Sequence, residues 1–269
     1  MSTLASSASA PAPAPAPISA LAVRRRAFWL LARTEALLFL RNAASVVWTA
    51  LLPIVAVVVL GIVPGTRHAS RSFGGLSPLQ VYVPILMMYV FLMSAVNMLP
   101  AVLSGYREKG VLRRLATTPV PPGRLLGAQG LIYLGLGVVI DVVILVVATV
   151  CGAPAPRQFG GFTVSLLLVA AATLGIGMLI TAVARTERIA NALGLITFFP
   201  LMFFAGLWIP RDKMNVPLRT ISDYSPLGAG VRALQASIAG HWPPAAALLV
   251  LAGYAIVCGA AAARMFRWE

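Results

Sequence analysis

The sequence predicts an all-α polytopic membrane protein with six transmembrane helices. Three observations carry this. Hydrophobic residues fill 59% of the 269 positions and charged residues 10%, with a mean hydropathy of +0.90, whereas a soluble domain carries about a quarter charged residues. Apolar runs of about 20 residues, long enough to cross a bilayer at the helical rise, recur along the chain. The runs are continuous rather than alternating, so backbone groups hidden from water are satisfied within helices and not by a closed barrel.

Residues 1–20 (MSTLASSASAPAPAPAPISA) form an uncharged Ala-Pro repeat, expected to be a disordered or polyproline-like tail. Its arginines come after the repeat, the reverse of a secretory signal, so the tail is read as cytoplasmic. Residues 21–42 (LAVRRRAFWLLARTEALLFLRN) have a helical pattern. Trp29, Ala32, Ala36 and Phe39 step by three or four, and Arg26, Arg33 and Arg41 recur at near-heptad spacing. This predicts either an amphipathic helix lying along the membrane interface or a basic extension of the first span.

Residues 43–269 make up the membrane domain. Its spans are expected at Val46–Val63, Val81–Leu103, Ala128–Val150, Phe162–Ala184, Ile189–Trp208 and Ala245–Ala263. Pro53, Pro84 and Pro200 fall inside these runs. Neighbouring helices can repair the hydrogen bond that a proline removes, so each predicts a kink rather than a break.

The net charge is +14. A basic stripe would point to nucleic acid, but here the charges sit in short clusters between apolar runs. They read as flanks of membrane spans facing lipid headgroups, and no nucleic-acid partner is expected. With the amino terminus placed inside, 14 of the 21 Lys and Arg residues fall on the inner side. Both termini are therefore expected in the cytoplasm.

The chain has no G-x-x-x-x-G-K-[ST] motif; at the nearest glycine pair, Gly105 and Gly110, Val111 stands where lysine is needed. No nucleophile elbow is present, so no catalytic residue is assigned. His68 and His241, the only histidines, lack partners at metal spacing, and no metal site is expected. Cys151 and Cys258 fall near opposite membrane faces, which argues against a disulfide. One acid lies deep in a span: Asp141, in GLGVVIDVVILVV. It costs several kcal/mol there unless paired, hydrated or protonated. It reads either as a proton relay or contact for a cationic substrate, or as a structural hydrogen bond to a neighbouring helix.

Two loops stand out. Ser104–Gly127 is basic, and Arg107–Leu115 can form two helical turns before the prolines at 119, 121 and 122 end them. On chemistry alone it is either a solvated positive flank or a short stiff helix able to take a push from a partner. Ile209–Pro244 is amphipathic and proline-rich, able to form short helices that dip back into the membrane where protein shelters them.

At the first of these loops the chain resembles the type-2 permeases of ATP-binding cassette (ABC) transporters. The family's R-E-x-G-x-x-x-R-L-x-x-[ST]-P stretch stands here as Arg107-Glu108-Lys109-Gly110-Val111-Leu112-Arg113-Arg114-Leu115-Ala116-Thr117-Thr118-Pro119, and continues through Gly123 to Ala128. A second landmark runs through Phe203-Phe204-Ala205-Gly206-Leu207-Trp208-Ile209-Pro210, Pro217-Leu218 and Ser225-Pro226-Leu227, with Arg232 beyond. A weaker one joins Glu35 to Arg41-Asn42. Gly228 departs from the pattern, where a threonine or similar polar residue is usual.

The resemblance implies two permeases, as a homodimer or heterodimer, with two separate ATPase subunits beneath that bind the ATP and Mg; this chain would bind no cofactor. Arg107, Glu108, Lys109, Gly110, Arg113, Arg114 and Leu115 would form a coupling helix at the ATPase, with the helix of Arg26, Arg33, Glu35 and Arg41 beside it. Gly206, Pro210, Pro217 and Pro226 would belong to re-entrant helices capping the exit. The composition is similar to that of bacterial drug-exporter permeases, which implies an inner-membrane exporter of a lipophilic drug, secondary metabolite or lipid. The rival reading is a proton-coupled transporter that uses Asp141.

Overall fold

The computed structural model describes residues 33–34, 36–70, 73–108, 110 and 122–265. Residues 36–41 are helical, with Phe39 buried and Arg33 and Arg41 exposed. Asn42 breaks that helix, and its side chain accepts from the Ser45 amide at 3.2 Å to start the next.

Among the described residues six helices are long and apolar enough to cross a membrane: α1 (Ala43–Ile62), α2 (Pro78–Glu108), α3 (Pro122–Val150), α4 (Phe159–Val183), α5 (Glu187–Ala205) and, last of these, α8 (Ala245–Met265). Between α5 and α8 come a 3-10 turn at Arg211–Lys213 and two short helices, α6 (Val216–Tyr224) and α7 (Pro226–Ile238). All six expected spans are present. Their ends differ from the apolar windows because caps, not hydropathy, set helix termini. α2 starts at Pro78 because Ser77 and Gln80 form a capping box, each side chain bonded to the other's amide at 3.2 and 2.9 Å. α5 stops short of Trp208 because Gly206 takes the left-handed conformation that closes a helix.

α2 is the central element. In its most apolar window 72% of the residues are buried, against 17% in α8, as expected of a helix that is hydrophobic all round. α1 and α3 pack on each other and on α2, α4 and α5 also pack on α2, and α8 lies along α4. α7 is inserted among α2, α4, α5 and α8. Its backbone is thereby sheltered by protein, the condition under which a short helix is tolerated at membrane depth.

α1 and α2 each widen into a π segment, Val47–Leu51 and Met93–Met98. Each ends two residues before a proline, Pro53 or Pro100. The amides of Leu52 and Leu99 reach back five residues, to the carbonyls of Val47 and Ser94. Widening relieves the clash between the proline ring and the preceding turn. It also strands one carbonyl per helix, since the next donor in the π register is the proline itself. In α1 that carbonyl belongs to Trp48, and the Tyr89 hydroxyl of α2 donates to it at 2.8 Å. In α2 it belongs to Ala95, whose oxygen occupies the place a β-carbon would take at Gly177 of α4. The glycine lets α2 and α4 touch there and turns its own Cα–H toward the oxygen. Pro53 was expected to kink its helix; the structure shows a register change before it, and a second before Pro100, which also falls inside the expected span Val81–Leu103.

Candidate functional site

Two clusters, at opposite ends of the bundle, hold the residues singled out by sequence. At one end, Arg107 and Glu108 form the last turn of α2; apart from Gly110, the rest of the stretch expected as a coupling helix lies outside the described residues. Gly110 follows in a turn with φ of 68°, a conformation that ends a helix and suits glycine. Both side chains reach the turn between α4 and α5. Arg107 Nη1 donates to the Ala184 carbonyl at 2.6 Å, at the C-cap of α4. Glu108 Oε1 accepts from the Glu187 amide at 2.9 Å, at the first residue of α5. The last carbonyls and first amides of a helix have no partner within it. The cation therefore meets a negative helix end and the carboxylate a positive one, the favourable sense for both. Thr186 completes the turn by accepting from the Ile189 amide at 3.2 Å. Beside it opens a polar cleft of about 540 Å³ lined by Glu108, Thr186, Glu187, Arg188 and Asn191. Lys109, Arg113, Arg114 and Leu115, like Arg26 and Glu35, lie outside the described residues.

At the other end, Gly206 closes α5, Pro210 leads into the 3-10 turn, Pro217 lies in the first turn of α6, and Pro226 opens α7. Ser222 Oγ donates to the Phe204 carbonyl at 2.6 Å, tying α6 to the end of α5. Ser225 caps α7 by accepting from the Gly228 amide at 3.1 Å. At Gly228 a β-carbon would run into the Ser222 carbonyl, which explains the departure from the family pattern: α6 turns back so tightly on α7 that a threonine has no room. Asp223 holds the segment together. Arg211 pairs with it bidentately, Nε to Oδ1 and Nη2 to Oδ2 at 2.8 Å each, and Arg232 Nη1 lies 3.1 Å from Oδ1. Sequence reading missed Asp223 and Arg211 as partners; they stand 12 positions apart and only the fold brings them together.

Asp141 lies midway along α3 and is fully buried, and neither carboxylate oxygen has a hydrogen-bond partner among the described residues. The structural hydrogen bond considered for it is therefore not present among them. Among the described residues no group of three or more His, Cys, Asp or Glu could hold a metal ion.

The model of the ABC-2 type transporter family matches residues 26–239, well over half of the chain. This chain belongs to the ABC-2 type transporter family. The match spans both clusters and five of the six spans. No curated protein matches the chain at a significant level. With its ABC-2 domain the chain is a multi-pass membrane transport component, and its sequence lacks the phosphate-binding motif.

Proposed function

We propose that this chain is the permease subunit of an ATP-driven exporter in a bacterial inner membrane, moving a lipophilic drug, secondary metabolite or lipid outward. Two permeases, two copies of this chain or this chain and a related one, form the pathway. Two separate ATPase subunits bind the ATP and Mg. The observation that carries the reading is an ABC-2 domain with no nucleotide-binding motif in its 269 residues: ABC-2 permeases generally work with an ATP-binding cassette subunit. In this reading the Arg107 end faces the cytoplasm, where the loop after α2 meets the ATPase and the helix carrying Arg33 and Arg41 lies alongside. The helices α6 and α7 close the exit. ATP binding on the partner biases a bistable packing of the spans, so a chain without ATP chemistry is driven by ATP.

The test is coexpression with a candidate ATP-binding cassette ATPase, sought first in the adjacent open reading frame, then copurification and transport in proteoliposomes. ATP-dependent transport that needs both proteins is expected; transport by this chain alone would overturn the reading.

One observation favours a second reading, proton coupling through Asp141: the group is fully buried with no partner among the described residues. Asp141→Asn separates the two, because it keeps the shape and costs no hydrogen bond made among the described residues. Under the ATP-driven reading the variant is expected to transport at close to the wild-type rate. Abolished transport, with the wild-type protein responding to an imposed pH gradient, would favour the proton-coupled reading.

A further inference from the structure

Resting on the ATP-driven reading, we propose that Arg107 and Glu108 are positioning residues. They splice the end of α2 to the α4–α5 turn, so that the loop after α2 and the start of α5 move as one piece, and they are not themselves the ATPase contact.

Three features of the geometry argue for this. Both side chains are engaged within the chain, one on the Ala184 carbonyl and the other on the Glu187 amide. Both partners are main-chain groups at helix termini, so each bond grips a whole helix rather than a mobile side chain. The order of the charges also matters. Arginine at 107 meets the carbonyl that ends α4, and glutamate at 108 meets the amide that begins α5; reversed, each would face a group of its own polarity.

The helix gripped in this way leads to the opposite cluster. α5 is 19 residues long, about 28 Å at the helical rise. Midway, a β-carbon at Gly194 would lie 2.7 Å from the Val96 carbonyl in the π segment of α2, so the two backbones cross in close contact. At its far end the Phe204 carbonyl accepts from Ser222 of α6. A displacement at Arg107–Glu108 is thus delivered to the start of a stiff helix whose other end holds the segment around Asp223. Such a contiguous set of packed elements is what carries coupling between distant sites.

The experiment compares Arg107→Ala, Glu108→Ala, the charge swap Arg107→Glu/Glu108→Arg, and the conservative Arg107→Lys and Glu108→Gln, all in the full permease reconstituted with its ATPase. Three quantities are read: ATPase copurified per permease, substrate moved per ATP hydrolysed, and hydrogen exchange of the Glu187 amide. Glutamine keeps the Oε1 acceptor and drops the charge, which makes it decisive.

The alanine variants and the swap are expected to keep the ATPase bound. They should lose about fivefold to tenfold in substrate per ATP, the net scale of one hydrogen bond, and expose the Glu187 amide to faster exchange. Glu108→Gln should recover most of both. Full coupling in the alanine variants would overturn the clamp. So would loss of the ATPase in Glu108→Gln to the same degree as in Glu108→Ala, since that is the mark of a direct charged contact. A wild-type permease that neither binds an ATPase nor transports with ATP would instead overturn the function proposed above, and the clamp with it.

Discussion

Asp223 receives Arg211 from the 3-10 turn and Arg232 from α7, and itself sits on α6. One carboxylate therefore ties three pieces of the segment between α5 and α8. The side chains of Asp223 and Arg211 are 25% and 30% exposed, enough shielding for a bidentate pair to exceed the small value of a surface salt bridge. Asp223→Asn should cost about 1–2 kcal/mol, and the loss should be local. Amide exchange over residues 211–224 is expected to speed up by about tenfold with the spans unaffected; unchanged exchange there would show that the pair holds nothing. Arg232 was visible in the sequence as part of a landmark. Its partner was not, because a salt bridge between loop residues is a fact about how the chain doubles back. Gly228 makes the same point: read alone it is a departure from a family pattern, and against the Ser222 carbonyl it becomes a steric requirement.

At the scale of elements, the π segments show how prolines are housed inside spans. A proline removes one donor, and in a bilayer no water replaces it. α1 solves this with a hydroxyl from its neighbour, Tyr89 on the Trp48 carbonyl. α2 solves it with close approach, Gly177 against the Ala95 carbonyl. Tyr89→Phe should therefore strand a part-buried carbonyl while leaving the ring's packing intact, costing about 1–3 kcal/mol. The expected readout is a lower midpoint of thermal unfolding in detergent; a midpoint equal to wild type would mean that the Trp48 carbonyl has another donor. The spans themselves were legible, since a run of apolar residues has no alternative in lipid but to be a helix. Their ends were less so: Ser77 with Gln80, Thr186 and Gly206 determine where α2 and α5 begin and stop, and these polar or small residues are invisible to a hydropathy window.

For the whole molecule, burial identifies what must be covered. α2 is enclosed, while α8 carries exposed Leu249, Ile256 and Val257, and α3 exposed Val139, Val142 and Val146. Apolar helix faces exposed to this extent are stable in lipid or against a second permease, not in water. Orientation follows from charge. In the proposed reading, the asymmetry of 14 basic residues against the remaining 7 of the 21 puts the Arg107 end on the cytoplasmic side together with both termini. A fluorescent-protein fusion after Glu269 is accordingly expected to fluoresce in a bacterial host, and an alkaline-phosphatase fusion at the same point to be inactive. The opposite pair of results would invert the topology and remove the loop after α2 from the side where ATP is hydrolysed.

Composition and apolar run length alone determined that this is a helical membrane protein with six spans, because hydrophobic transfer and backbone hydrogen bonding act locally along the chain. The motif from Arg107 to Pro119 was also legible, since it is contiguous. What Arg107 and Glu108 hold was decided only by tertiary structure: Ala184 and Glu187 stand 77 and 79 positions away and offer main-chain atoms. The same holds for Asp223 between its two arginines and for Tyr89 on the Trp48 carbonyl. Every helix has the same unpaired termini, and a backbone carbonyl or amide carries no signature in the sequence. Which side chain reaches it depends on where the helices cross.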